Sequence, residues 1–451
     1  MEITRNLCLV SPAPEVFFEL REEREIFKRE VLLGPRAEGL ALAERLGLPV
    51  PDPSRLGLDD GIFYPPTESG LALAAAISGI TPEKSPRTEG NRRVVVLLVD
   101  FPELRGLTPK AFFEQLLFGN DTALSVSQYY DQASGGLLKV TGDVFGWFTL
   151  PNPLSYYADG KLGLGTYPHN AQKLAEDAIE IARESIDFSK YDLDGDGMLD
   201  GLVIVHAGAG AENADRDVRP SLIWSHKWLV SHPQTIDGIT IYPYTLQPEN
   251  GRVGVFCHEF GHFLGLPDLY DTTSRSYGVG AWCVMGTGSW LGNGDQPANM
   301  SAWCRAKLGW STVEQVMSGH YDLKDRSIVR INPENAGSNE YFLLEKRVRE
   351  GLDSALPGEG FLIWHIDDAV NGNTNPKHYQ VGLEQADGES SLEFLENQGD
   401  EGDPFRGSTG NDDFADATTP NSKTYLKRQS GVRIHGFAPS LDKGDVDIEA
   451  P

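Results

Sequence analysis

Cysteine is scarce in this chain, with Cys8, Cys257, Cys283 and Cys304 the only four among 451 residues. That is too few to build a disulfide framework for a protein of this size. Buried free thiols are the default reading, and one bridge between Cys283 and Cys304 is the alternative. Long apolar runs are missing as well. The longest mildly apolar stretch, Ser69 to Ile80, falls well short of the roughly 20 residues that a membrane-spanning helix requires, so no membrane insertion is expected. Met1 to Pro12 lacks the apolar core and small-residue cleavage site of a secretory leader, and no signal peptide is expected in this chain. Positive charge is in deficit: 39 Lys and Arg face 66 Asp and Glu, for a net charge of -27. Such a surface repels phosphate, which argues against nucleic acid and anionic lipid as partners. No repeat period is evident. What remains is a globular composition, 40% hydrophobic, sufficient for two or three packed domains.

Most of the chemistry is concentrated in His258-Glu259-Phe260-Gly261-His262-Phe263-Leu264-Gly265-Leu266-Pro267-Asp268. Residues four apart stand one above the other on an α-helix, so His258 and His262 can aim two imidazole nitrogens at one ion. Glu259 is rotated about 100° from His258, which sets its carboxylate beside the metal as a general base. Gly265 lets the helix stop and the chain reverse, Pro267 cannot continue it, and Asp268 returns toward the ion as a third ligand. Three protein ligands leave one coordination position open, as in a catalytic rather than a structural zinc site. H-E-x-x-H arises by chance in unrelated chains; the added Gly265 and Asp268 make a chance match far rarer.

The wider context carries a resemblance. Phe256-Cys-His-Glu-Phe-Gly-His-Phe-Leu-Gly-Leu-Pro-Asp-Leu-Tyr-Asp271 is followed by Val279-Gly-Ala-Trp-Cys-Val-Met285-Gly-Thr-Gly-Ser-Trp290 and Leu308-Gly-Trp310. With Val95 to Phe101, Ser127 to Ser134, Asp192 to Gly208 and Ile223 to His226, this resembles the immune inhibitor A family of secreted bacterial zinc metallopeptidases. The resemblance covers roughly residues 90 to 370. It implies an endopeptidase of metzincin-like zincin fold acting on proteins or peptides, with His258, His262 and Asp268 as zinc ligands and Glu259 as base. It further implies that Met285 sits in a tight turn as an apolar floor beneath the metal, and that the protein works outside the cell. Without the upstream helix, Met285 would read as an ordinary buried methionine.

Asp192, Asp194, Asp196 and Asp200 stand at positions one, three, five and nine of a loop with Gly197 at six, like the opening of an EF-hand. Position twelve is Val203, so a structural calcium loop ahead of a strand is expected rather than a helix-loop-helix sensor. An Asp/Gly-rich turn held by side-chain caps is the alternative. A second acidic run between Glu384 and Asp416 holds Asp387, Glu389, Glu393, Glu396, Asp400, Glu401, Asp403, Asp412 and Asp413 and is relieved only by Arg406. It reads as a solvated loop or as carboxylates some of which take calcium. His226, in Ile223-Trp-Ser-His226, is a candidate lining of the substrate cleft or a structural histidine beside aromatics. His365, with Asp367 and Asp368, could bind metal, but the alternation of Phe361 to Ile366 favours a plain strand. Cys8 could offer a thiolate to the open zinc position.

Taken together, these features predict an α+β protein: a helical segment and linker over residues 1–90, serving as a pro-region or accessory lid, a catalytic domain over 91–325, and a β-sandwich-like domain over 326–451. Helices are expected in 13–46, from Thr108 as cap through Leu117, and from His169 to Ser185; strands are expected at Val94–Val99, Leu202–His206, Glu340–Val348, Gly360–Ile366, Val432–Phe437 and Val446–Glu449. Thr81 to Asn91, rich in proline and polar residues, reads as a connector. The expected function is zinc-dependent hydrolysis of peptide bonds by a monomer. The rivals are a zinc hydrolase of short peptides or non-peptide amides, and a metal-binding adhesin without turnover.

Overall fold

Val94 to Val99 is apolar on both faces, and such a strand is stable only when covered on both sides. The computed structural model of the protein describes residues 8–20, 88–120, 123–337 and 339–451. In it this run lies inside β2 (Gly90–Asp100), where Val95 to Val99 are fully buried. Beside it run β3 (Leu138–Thr149), β4 (Leu202–His206), β5 (His226–Ile236) and β6 (Ile239–Pro248), with β1 (Cys8–Leu9) at one edge. The sheet order is β1-β5-β6-β4-β2-β3. β3, β2, β4 and β6 are parallel, β5 is antiparallel to β6, and β1 is antiparallel to β5.

One face of this sheet is covered by α2 (Ala171–Ala182), which Asn170 starts by accepting a hydrogen bond from the Lys173 amide at 3.1 Å. Leu174, Ala175, Ala178 and Ile179 of α2 share a core with Val95, Leu97, Val99 and Ile204. The earlier helix, α1 (Lys110–Phe118), begins later than the Thr108 cap predicts. Thr108 is occupied elsewhere: its amide donates to Glu249 Oε1 at 2.6 Å and its carbonyl accepts from Trp147 Nε1 at 3.0 Å. Pro109 is therefore the capping residue, without a side-chain bond. Of the helices expected in 13–46, residues 14–20 are helical and the others lie outside the described residues, as does most of the segment before residue 88.

Two compact units divide between Pro267 and Asp268, with Ala133–Gly135 belonging to the second, a different division from the expected 91–325 and 326–451. The second unit contains α4 (Ala302–Lys307) and two sheets. One has the order β12-β11-β10-β9-β7, from β7 (Val313–Gln315), β9 (Ile328–Ile331), β10 (Glu340–Arg347), β11 (Gly360–Asp367) and β12 (Val381–Glu384). The other has the order β13-β14-β15-β8, from β8 (Gly319–Asp322), β13 (Asp413–Phe414), β14 (Arg433–His435) and β15 (Asp445–Glu449). Alternate residues of both sheets, among them Phe342, Leu344, Ile363, Ile434, Val446 and Ile448, meet in one apolar core.

His365 on β11 does not gather Asp367 and Asp368. It lies between Glu340 (2.9 Å) and Glu384 (3.1 Å), while Asp367 accepts from His378 and Asp368 from Trp303 and Tyr341. Burial alone would lower the His365 pKa, but the two carboxylates outweigh it and raise it. Among the described residues no helix is long and apolar enough to cross a membrane.

Candidate metal centre

Every residue of α3 (Val253–Phe263) is buried, so its polar side chains need specific partners. The helix ends as a glycine at the C′ position dictates. Gly265 takes φ +89°, its amide bonds to the His262 carbonyl at 3.1 Å, and the Leu266 amide reaches back to the Gly261 carbonyl at 3.2 Å. This is the paired bonding of a Schellman turn. It has a chemical consequence. By folding Leu266 back over the last turn, it puts the Leu266 carbonyl 2.7 Å from His262 Nδ1.

A carbonyl can only accept, so His262 Nδ1 carries the proton and Nε2 keeps its lone pair. That Nε2 stands 3.2 Å from His258 Nε2, both rings being buried. Two nitrogens bound to one tetrahedral zinc at about 2.0–2.1 Å are separated by roughly 3.3–3.4 Å. The pair therefore fits zinc in donor type and separation, and His262 also in tautomer. Glu259, one residue on from His258, is 0% exposed. From the other side of the helix, Tyr130 donates to the Cys257 carbonyl at 2.5 Å and packs its ring on Phe260 at 4.9 Å, which holds the helix in register.

Cys8 approaches the same helix. β1 pairs Cys8 with Lys227 and Leu9 with His226, Val10 bonds to the Ser225 carbonyl, and Trp224 Nε1 donates to the Val10 carbonyl at 2.9 Å. The strand carries the buried Cys8 thiol to within 4.8 Å of a ring nitrogen of His262. Asp268, which belongs to the second unit, is 1% exposed. Met285 is also buried and lies in the second unit, in a turn closed by the Gly286 amide on the Cys283 carbonyl at 2.9 Å. Its own carbonyl accepts from the Leu269 amide at 2.8 Å. Cys283 and Cys304 are free thiols with their sulfurs 3.9 Å apart, so the bridge weighed from the sequence is not formed.

His226 does not line an open cleft. It is fully buried on β5, Nδ1 lies 2.6 Å from the Trp224 carbonyl and Nε2 3.1 Å from the Tyr244 hydroxyl. Burial pushes its pKa down to about 4, the behaviour of a neutral core histidine.

The Asp192–Asp200 loop brings Asp192, Asp194 and Asp196 together, with one carboxylate oxygen of each inside a 4.8 Å group. The amides of Gly195, Asp196 and Gly197 all bond to Asp192, and Gly195 and Gly197 supply positive φ at the two reversals. Asp200 does not join this group. It is buried and takes the Arg93 amide at 3.1 Å and the Leu193 amide at 3.3 Å, so it anchors the loop to β2. Sequence spacing could not separate these roles, because the ninth position of such a loop can ligate directly, through water, or not at all.

Comparison with known proteins brings in relatives. Residues 87–312 match the immune inhibitor A peptidase M6 catalytic domain. Immune inhibitor A of Bacillus thuringiensis subsp. alesti is 36% identical over 232 residues, 43% of this chain and 34% of that protein. The pre-pro-metalloprotease PrtV of Vibrio cholerae serotype O1 (strain M66-2) is 28% identical over 353 residues, 64% of this chain and 38% of that protein. The chain thus spans little more than a third of the length of these relatives. The family match covers half the chain and contains the whole of α3, the Gly265 turn, Asp268 and Met285; the chain belongs to the immune inhibitor A peptidase family.

Proposed function

We propose that this chain is a zinc-dependent endopeptidase of zincin, metzincin-like architecture, acting as a monomer on protein or peptide substrates. The supporting observation is the pair of His258 and His262 nitrogens at 3.2 Å, with the His262 tautomer set by the Leu266 carbonyl. His258, His262 and Asp268 would hold the ion, and the Met285 turn would floor the site. Zinc, when bound, supplies Lewis acidity toward a water and toward the scissile carbonyl. Glu259 takes the proton of the attacking water and returns it to the departing amine, which needs a carboxylate close to the ion but outside its ligand set. Replacing Glu259 with Gln keeps size and polarity and removes the base. Cleavage of a casein-like substrate should then fall by about 100 to 10,000-fold while zinc stays near one per chain. Undiminished cleavage by folded, zinc-loaded Glu259→Gln protein would overturn the mechanism. Mapping the products of a digested protein mixture separates an endopeptidase from a hydrolase of short peptides or amides, and from an adhesin that cleaves nothing.

The N-terminal segment is read as an inhibitory pro-region, because β1 occupies the sheet edge beside α3 and brings Cys8 to His262. An extended substrate would seek that same edge, since only an uncovered edge offers unpaired backbone groups. Cobalt in place of zinc should give the full chain a thiolate charge-transfer band that Cys8→Ser lacks; identical spectra refute the contact. Asp192, Asp194 and Asp196 are read as a calcium loop, tested by a melt with and without a calcium chelator and with Asp194→Ala as the control. The same melting temperature in both conditions refutes it.

A further inference from the structure

A second cluster, unlike the Asp192 loop, brings one residue from further back in the chain to two near neighbours and is partly sealed from solvent. One carboxylate oxygen each of Asp387, Asp400 and Asp403 lie within 4.8 Å of one another. Among the described residues no Lys, Arg or His pairs with any of the three. Asp403 is 0% exposed. Its Oδ2 accepts from Trp282 Nε1 at 2.8 Å and from the Asp400 amide at 3.0 Å, whereas Oδ1 is buried without a hydrogen-bond donor. A buried carboxylate oxygen left in that state is destabilising unless a donor or a cation satisfies it.

The surroundings are set for close approach. A Cβ at Gly402 would stand 2.7 Å from Asp387 Oδ2 and 3.0 Å from Asp400 Oδ1, so only glycine lets those two carboxylates share the space. Backbone ties hold the loop: the Ala386 amide bonds to the Asp403 carbonyl at 2.8 Å, and the Ala281 amide to the Gln398 carbonyl at 2.7 Å. The other two carboxylates are also oriented by donors: Asp387 by the Glu389 amide on Oδ1, Asp400 by the Gly402 amide on Oδ1 and the Asn397 side chain on Oδ2. Three negative groups facing one another without a positive partner repel strongly unless something positive lies between them.

We infer that Asp387, Asp400 and Asp403 form a structural calcium site in the second unit. The donors are all carboxylate oxygens, which select a hard divalent cation over zinc, and a loop-built, irregular set suits calcium better than the strict octahedron of magnesium. The orphaned Asp403 oxygen is the ligand atom that the ion satisfies. Trp282 then stands beside the ion, since its indole N–H is bonded to the other oxygen of the same carboxylate. The inference is independent of the zinc reading, as none of these residues belongs to that motif.

The test uses the full chain with zinc loaded. Terbium, which replaces calcium, should show emission sensitised by tryptophan excitation, and calcium should displace it. Asp403→Asn and Asp387→Asn should each weaken terbium binding at this site at least tenfold, while Asp194→Asn leaves the sensitised signal in place. In melts, Asp403→Asn should unfold no lower than wild type in chelator, because it removes an uncompensated buried charge, and should lose the calcium-dependent rise. Unchanged terbium binding in folded Asp387→Asn and Asp403→Asn proteins, or loss of all sensitised emission in Asp194→Asn, overturns the site.

Discussion

The His258–Leu266 turn and the Asp387–Asp403 cluster both gather groups that suit a cation, yet they are assembled in opposite ways. In the first, the two imidazoles lie on consecutive turns of one helix and the residue that orients His262 is four positions away, so one short segment contains both the proposed ligands and their support. In the second, Asp387 and Asp403 are sixteen residues apart, and the group that orients Asp403 is Trp282, from another part of the chain. Burial acts on both, with different results. Imidazole has an uncharged form that can be buried without an ion, whereas burial pushes the Asp403 carboxyl up to about 7. A neutral donor set can wait for its metal; an anionic one is strained without it.

The comparison is broken most sharply by removing a donor from the helix. His262→Ala should abolish measurable cleavage and leave zinc well below one per chain, a larger loss than Glu259→Gln gives, because only two of the three proposed ligands would remain. Zinc retained at full occupancy, measured by elemental analysis on folded protein, would show that the helix pair is not the binding site. A subtler change tests whether the turn serves the ligand. Gly265→Ala places a Cβ at φ +89°, at a cost of about 1 kcal/mol, which should lower the melting temperature by a few degrees. The same change should weaken zinc binding, since it disturbs the Leu266 carbonyl that fixes His262. If stability drops and zinc affinity does not, the turn is only a helix stop.

The smallest effect concerns pH and the second unit. The His365 pKa is raised above 6.5 by Glu340 and Glu384, so the folded protein binds that proton more tightly than the unfolded chain. The stability it contributes is complete below 6.5 and is lost as pH rises through the higher folded value. Denaturation midpoints should therefore fall as pH rises from 6.5 through the higher folded value, and His365→Gln should flatten that part of the profile. An identical slope in the variant assigns the dependence to other groups.

Much of the fold was legible where one local rule dominated. The continuous apolar run Val94–Val99 could only be a covered strand, Leu202–His206 lies at its predicted bounds, and the alternating stretches after residue 339 became β10 and β11. The β5–β6 hairpin was not foreseen, although its turn is written in the chain: Asp237 and Gly238, both at positive φ, join Ile236 to Ile239 as a two-residue turn. Its strands were obscured because β5 breaks register between Leu229 and Gln234, which interrupts the period of two. Of the two readings of His226, cleft lining or structural histidine, spacing alone could not choose. Only the pairing of β5 between β1 and β6 reveals that its ring is enclosed.

By itself the sequence determined the helix with its His258 and His262 donors, the glycine stop after it, and the Asp192–Asp196 group. Each is a feature whose partners lie within a few residues, where helix period and turn chemistry leave little freedom. Tertiary structure alone decided that Cys8 reaches His262, that Asp200 anchors to β2 rather than joining its neighbours, and that Asp387 and Asp403 meet beside Trp282. Those contacts depend on burial and on strand order, and spacing along a chain carries no information about which distant segment a fold will bring alongside.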